Sequence, residues 1–207
     1  MKNNKMKNNN KRFIMTFVLI LALAIGMTTT AFADTTGSTE ATVEFSTDES
    51  VNKLELVTAP AFSFGSHDLP DSGQTIAAQS ITGSLKTMDT TGNYAGWNVT
   101  ATISNFSTAS VSNSMPGAYI TMSNGTADRV GSGTTDSPTV KTPIVLTSGS
   151  SDSTAISEAA QNAGVGTWDM NWLPSNTTLT VLDTPAVGQS TATITWTMVA
   201  GPLTSGS

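Results

Sequence analysis

The chain has 207 residues, a formal net charge of −6 and no cysteine, which excludes a disulfide-stapled scaffold, thiol catalysis and zinc sites of the His/Cys type. Charged residues make up only 12% of the composition, and the bases cluster nowhere except at the N-terminus. No basic face for nucleic acid or an anionic membrane is therefore expected.

The N-terminal segment sets the address. Lys2, Lys5, Lys7, Lys11 and Arg12 precede an apolar stretch from Phe13 to Met27, interrupted only by Thr16, and Ala31-Phe32-Ala33 follows. Basic start, short apolar core and A-x-A site are the secretory pattern, so residues 1–33 read as a signal peptide cut after Ala33. The apolar stretch is shorter than the ~20 residues that cross a bilayer, which argues against a retained anchor. No second run of spanning length follows, so the mature form is expected to carry no membrane span. The end, Pro202-Leu203-Thr204-Ser205-Gly206-Ser207, shows no sorting or lipidation pattern. Removal of the leader leaves four bases, Lys53, Lys86, Arg129 and Lys141, against fifteen acids, a net charge of −11.

After a Thr/Ser-rich segment at 34–42, read as flexible, one domain is expected over 43–207. Val43 and Phe45, Leu54 and Leu56, and Phe62 and Phe64 running into Gly65 recur with period two, the mark of strands with one buried face. Trp97 to Ile103 and Thr191 to Met198 alternate strictly, with threonines on the opposite face. Ala118, Ile120 and Met122, Ile144 with Leu146, and Leu179 with Val181 give further strands. Turns are expected at Pro70-Asp71-Ser72-Gly73, Thr91-Gly92-Asn93, Ser123-Asn124-Gly125, Gly131-Ser132-Gly133 and Gly188-Gln189. One helix-like piece, Ser153 to Ala163, has Asp152 or Ser153 as N-cap and Gly164 as stop, although a strand or loop suits its composition equally. Many short strands and little helix predict an all-β, antiparallel sandwich of Greek-key or Ig-like type.

The search for chemistry returns no catalytic residue, metal ligand set or cofactor motif. His67 could serve a Ser-His-Asp triad, but no nucleophile elbow accompanies it, and a locally hydrogen-bonded loop histidine is the expected role. The carboxylates are scattered, with no calcium loop, and a glycosidase pair would have to meet in space away from any aromatic cluster. Asn98, Asn105, Asn124 and Asn176 stand in N-x-[ST] triplets that an Asn- and Thr-rich chain produces by chance. The aromatic content is more specific. Trp97 with Val99, and Trp196 with Met198, each present a ring and an aliphatic side chain on one strand face. Flanking Ala101, Ile103, Ala192 and Ile194 favour core packing, with an exposed recognition surface as the alternative.

Gly96-Trp97-Asn98-Val99 and Thr195-Trp196-Thr197-Met198 resemble the two Trp-x-Leu motifs of the WxL domain of Gram-positive cell surfaces. Phe62-Ser63-Phe64-Gly65, Gly164-Val165-Gly166-Thr167-Trp168 and Ala192-Thr193-Ile194-Thr195-Trp196 follow the family's order, behind a signal peptide. Val99 and Met198 replace leucine with apolar side chains of similar size, which should keep the packing. The resemblance implies a non-catalytic surface protein of the short type, held non-covalently to peptidoglycan through a domain carrying its motifs at Trp97, Val99, Trp196 and Met198. It also implies a WxL-interacting surface protein as partner, and contact with host surface proteins. The strongly negative mature charge opposes the anionic polymers of the wall within about 8 Å at physiological salt. That makes a subunit of a surface complex or fibre, carried by such a partner, the rival reading, and a polysaccharide hydrolase the weakest.

Overall fold

The computed structural model describes residue 43 and residues 52–70 and 73–203, which belong, except for Val43, to a unit spanning Glu44–Ser207. The expected leader, the segment 34–42, the strand through Val43 and Phe45 and the tip of the Pro70–Gly73 turn lie outside the described residues, apart from Val43 itself, which is exposed. Among the described residues, no helix is long and apolar enough to cross a membrane.

The fold is all-β and every strand pairing is antiparallel. One sheet runs in the order β1 (Leu54–Thr58), β5 (Leu85–Asp89), β12 (Gly166–Asn171) and β8 (Thr126–Val130). A second runs β14 (Ile194–Ala200), β6 (Trp97–Ile103), β11 (Thr154–Ala159) and β9 (Thr139–Val140). Contacts at both margins, β1 against β14 and β8 against β9, lay these two sheets over each other in the same order, the geometry of a sandwich. A third sheet, β10 (Ile144–Thr147), β7 (Tyr119–Met122), β13 (Thr177–Val181) and β3 (Gln74–Ala77), adjoins through β10, which touches β6 and β11. A ribbon of β2 (Ala61–Ser63) and β4 (Ser80–Thr82) completes the described strands.

The core forms one cluster because each sheet turns its apolar alternation inward. β6 contributes Trp97, Val99, Ala101 and Ile103, β7 and β10 contribute Ile120, Met122, Ile144 and Leu146, and β13 contributes Leu179 and Val181. β5 is different: its inward positions are Leu85, Thr87 and Asp89, all at most 2% exposed. Asp89 is satisfied locally, accepting hydrogen bonds from the backbone N–H and hydroxyl of Thr91 at 3.1 and 2.7 Å. That pairing fixes the turn at Gly92.

The helix-like reading of Ser153–Ala163 is corrected: of the alternatives its composition allowed, the structure has strand β11 over Thr154–Ala159 and a turn after it. A bulge between Ala155 and Ser157 interrupts its pairing with β6, so Ile156 and Ser157 both face inward and are fully buried. Two successive inward residues break the period of two, and this removed the strand signal from the sequence. The last strand also starts later than the alternation from Thr191 implies. Thr191 forms only an isolated bridge to Ser107, and β14 begins at Ile194.

Candidate functional site

The two Trp-x-aliphatic motifs lie side by side. β6 and β14 pair over seven residues, with Met198 opposite Val99, Trp196 opposite Ala101 and Ala200 opposite Trp97. Directly opposed residues of antiparallel strands share a face, so both motifs project to the same side of one sheet. Motif residues almost a hundred positions apart thus form a single cross-strand patch.

Their burial differs sharply. Trp97 and Val99 are 0% exposed, and the indole Nε1–H of Trp97 donates to the carbonyl oxygen of Gly164 at 3.1 Å. Gly164 has φ +69°, and a methyl group built on it would stand 2.3 Å from the Ala159 side chain and 2.7 Å from Trp97 Nε1. Gly96 is as constrained, with φ +75° and the carbonyl oxygen of Ala159 2.4 Å from such a methyl. Gly164 therefore leaves the space that the Trp97 ring fills, and Gly96 allows the close approach of the chain to the Ala159–Ala160 backbone just before it. Trp196 and Met198, by contrast, are half-buried on β14, an outer strand, and pack against the core from its margin.

The pairing of Val99 with Met198 makes the two departures from leucine complementary, a short side chain inside and a long flexible one at the margin. Val99→Leu is expected to cost about 1–3 kcal/mol by overpacking, and Met198→Leu less than about 1.5 kcal/mol. Chemical denaturation of the two variants reads the difference.

Trp196 also belongs to the wall of a cleft of about 1110 Å³. Its floor is core: Ile103, Phe106, Leu179 and Val181. Phe62, Phe64, Ile76 and Ile194, all half-buried, form the walls with Trp196. The rim is built from two loops, Phe64 to Pro70 and Pro185 to Thr191, whose Leu69 and Val187 are 51% and 80% exposed. Gln74, Gln189, Ser63 and Ser190 supply amides and hydroxyls. His67 lies on this rim, with its Nε2 2.6 Å from the carbonyl oxygen of Phe64, so it is hydrogen-bonded locally, as expected from the sequence. Among the described residues Asp68 is the one carboxylate in the lining, and those residues assemble no glycosidase pair.

The Phe-x-Phe-Gly element and the second Trp motif thus meet at the cleft, while the first Trp motif and the Gly-x-Gly element meet in the core. The scan against family models matches residues 33–202 to the WxL domain, described as surface cell wall-binding. The chain belongs to the WxL family. The search of curated proteins and the search of solved structures return no match.

As a WxL protein the chain is a cell-surface, wall-binding domain, and its fold separates the family's signature into two parts. Trp168, the third large aromatic of the pattern, is 4% exposed and stands opposite Arg129, whose guanidinium lies 5.3 Å from the ring centroid. Arg129 also donates to Thr135 Oγ1 at 2.7 Å, so this cation is held inside the fold.

Proposed function

We propose that this WxL domain is a non-catalytic binding module that is exported, loses its leader after Ala33 and attaches non-covalently to peptidoglycan. The cleft edged by Trp196 makes the contact. The observation that carries this reading is the unequal burial of the two motifs. A tryptophan sealed in the core can only support the fold, whereas one at the margin of a cleft, among phenylalanines and amides, has the mixed lining of a ligand site. Trp97 and Val99 then hold the sheet on which Trp196 and Met198 are presented.

Retention of the purified protein on wall sacculi tests it. Trp196→Ala is expected to remove about 1–3 kcal/mol of stability, as suits a half-buried side chain, and to abolish retention while the protein still melts cooperatively. Undiminished retention of that variant would move the wall contact away from the cleft.

A second reading, a subunit carried by a WxL-interacting protein, is favoured by the charge. Four bases against fifteen acids after residue 33 oppose an anionic surface at short range. Cross-linking on intact cells that captures one surface protein, together with no retention on bare sacculi, would decide for it.

A further inference from the structure

Resting on the proposal that the cleft is the wall contact, we infer that its ligand is an uncharged glycan strand, and that the cleft rejects the anionic polymers and the peptide component of the wall. The charge distribution carries this. Lys53, Lys86 and Lys141 are ion-paired with Glu55, Asp169 and Glu158, and Arg129 is bound at Trp168 and Thr135. None of these four bases lines the cleft, whose ionisable groups among the described residues are the imidazole of His67, turned to the carbonyl oxygen of Phe64, and the carboxylate of Asp68. A phosphate or carboxylate polymer entering it would lose water, meet no lysine or arginine and face the carboxylate of Asp68, a desolvation cost without a compensating fixed charge.

What the cleft offers instead suits sugars. The half-buried rings of Phe62, Phe64 and Trp196 present apolar surface to the C–H faces of pyranose rings, with ring orientation fixed by packing. The side-chain amides of Gln74 and Gln189, both exposed at the rim, each carry donors and an acceptor, which match hydroxyl and acetamido groups in either sense. The volume of about 1110 Å³ is above the 300–1,000 Å³ or so typical of small-molecule sites, so it accommodates several rings of a polymer.

The test is titration of the purified protein with the N-acetylglucosamine tetramer, poly(glycerol phosphate) and a free stem tetrapeptide, followed by tryptophan fluorescence and calorimetry. The tetramer is expected to bind saturably, with an affinity that changes less than about twofold from roughly 0.05 to 0.5 M salt, because no ion pair is involved. Poly(glycerol phosphate) and the tetrapeptide are expected to give no signal. Gln189→Ala, at an exposed position, should weaken tetramer binding about three- to tenfold without moving the melt. Gln189→Lys should create measurable binding of poly(glycerol phosphate) that the native protein lacks. Binding of the phosphate polymer or the tetrapeptide by the native protein overturns the inference. Retention on sacculi with a silent tetramer also overturns it while leaving the wall reading intact, and loss of both removes the wall reading itself.

Discussion

Trp97→Ala is expected to lower stability by about 3–5 kcal/mol and the melting temperature by roughly 6–20 °C. The indole is fully enclosed, and its removal leaves a void between β6 and the turn at Gly164 as well as an orphaned carbonyl oxygen. Differential scanning calorimetry checks this, and Trp196→Ala measured alongside supplies the scale, because it shares the sheet face but not the burial. Equal losses from the two substitutions would mean that the asymmetry between the motifs has no energetic content, and the division into a supporting and a presenting tryptophan would fail.

Gly164→Ala is the second large effect, expected at about 2–5 kcal/mol. Roughly 1–2 kcal/mol comes from placing a side chain at positive φ, and about 1–3 kcal/mol from overpacking against Ala159 and Trp97. The two sources separate in a double-mutant cycle. In a Trp97→Phe background the smaller ring frees the space that Trp97 Nε1 occupies, 2.7 Å from the added methyl, so the cost of Gly164→Ala should fall by about 1 kcal/mol. Gly96→Ala is the control. Its methyl would meet backbone oxygens of Ala159 and Ala160, which a change of ring size does not move, and its cost should be the same in both backgrounds. Urea denaturation of the variants gives the comparison.

The sequence made the regular strands legible where an apolar side chain alternated with a polar one. The strand expected over Trp97–Ile103 is β6 with the same limits, and Leu54 with Leu56, Ile144 with Leu146 and Leu179 with Val181 all fall on strands with those residues inward. β5 escaped notice because two of its three inward positions are polar: Asp89 is satisfied by the local turn at Thr91, and the hydroxyl of Thr87 is buried without a hydrogen bond. β11 escaped for the reason of its bulge. For the candidate site, the pattern offered four residues, Trp97, Val99, Trp196 and Met198, but could not separate the buried pair from the half-buried one. Trp97-x-Val99 and Trp196-x-Met198 have the same period and the same flanking aliphatics, and what distinguishes them is that β6 is an inner strand and β14 an outer one, a fact of pairing order. The cleft was not legible at all. Its rim comes from two loops about 120 residues apart in sequence, Phe64–Pro70 and Pro185–Thr191, which carry no motif beyond the Phe-x-Phe-Gly that leads into the first.

The ladder that joins the two motifs also dictates when this domain can exist. β6 is made early, yet the strand covering its flank is residues 194–200, close to the C-terminus. β3 likewise waits for β13. A chain emerging from its N-terminus can therefore pair Trp97 and Val99 with β11 first, and carries the other flank of β6 uncovered until residues 194–200 have been made. Pairings of such long range are slow to form, on the order of milliseconds to seconds. The β1–β5 and β7–β10 pairs are local enough to form as they are made, so the domain gathers from short-range pieces and its inner strand β6 is sealed on that side only when its last partner arrives.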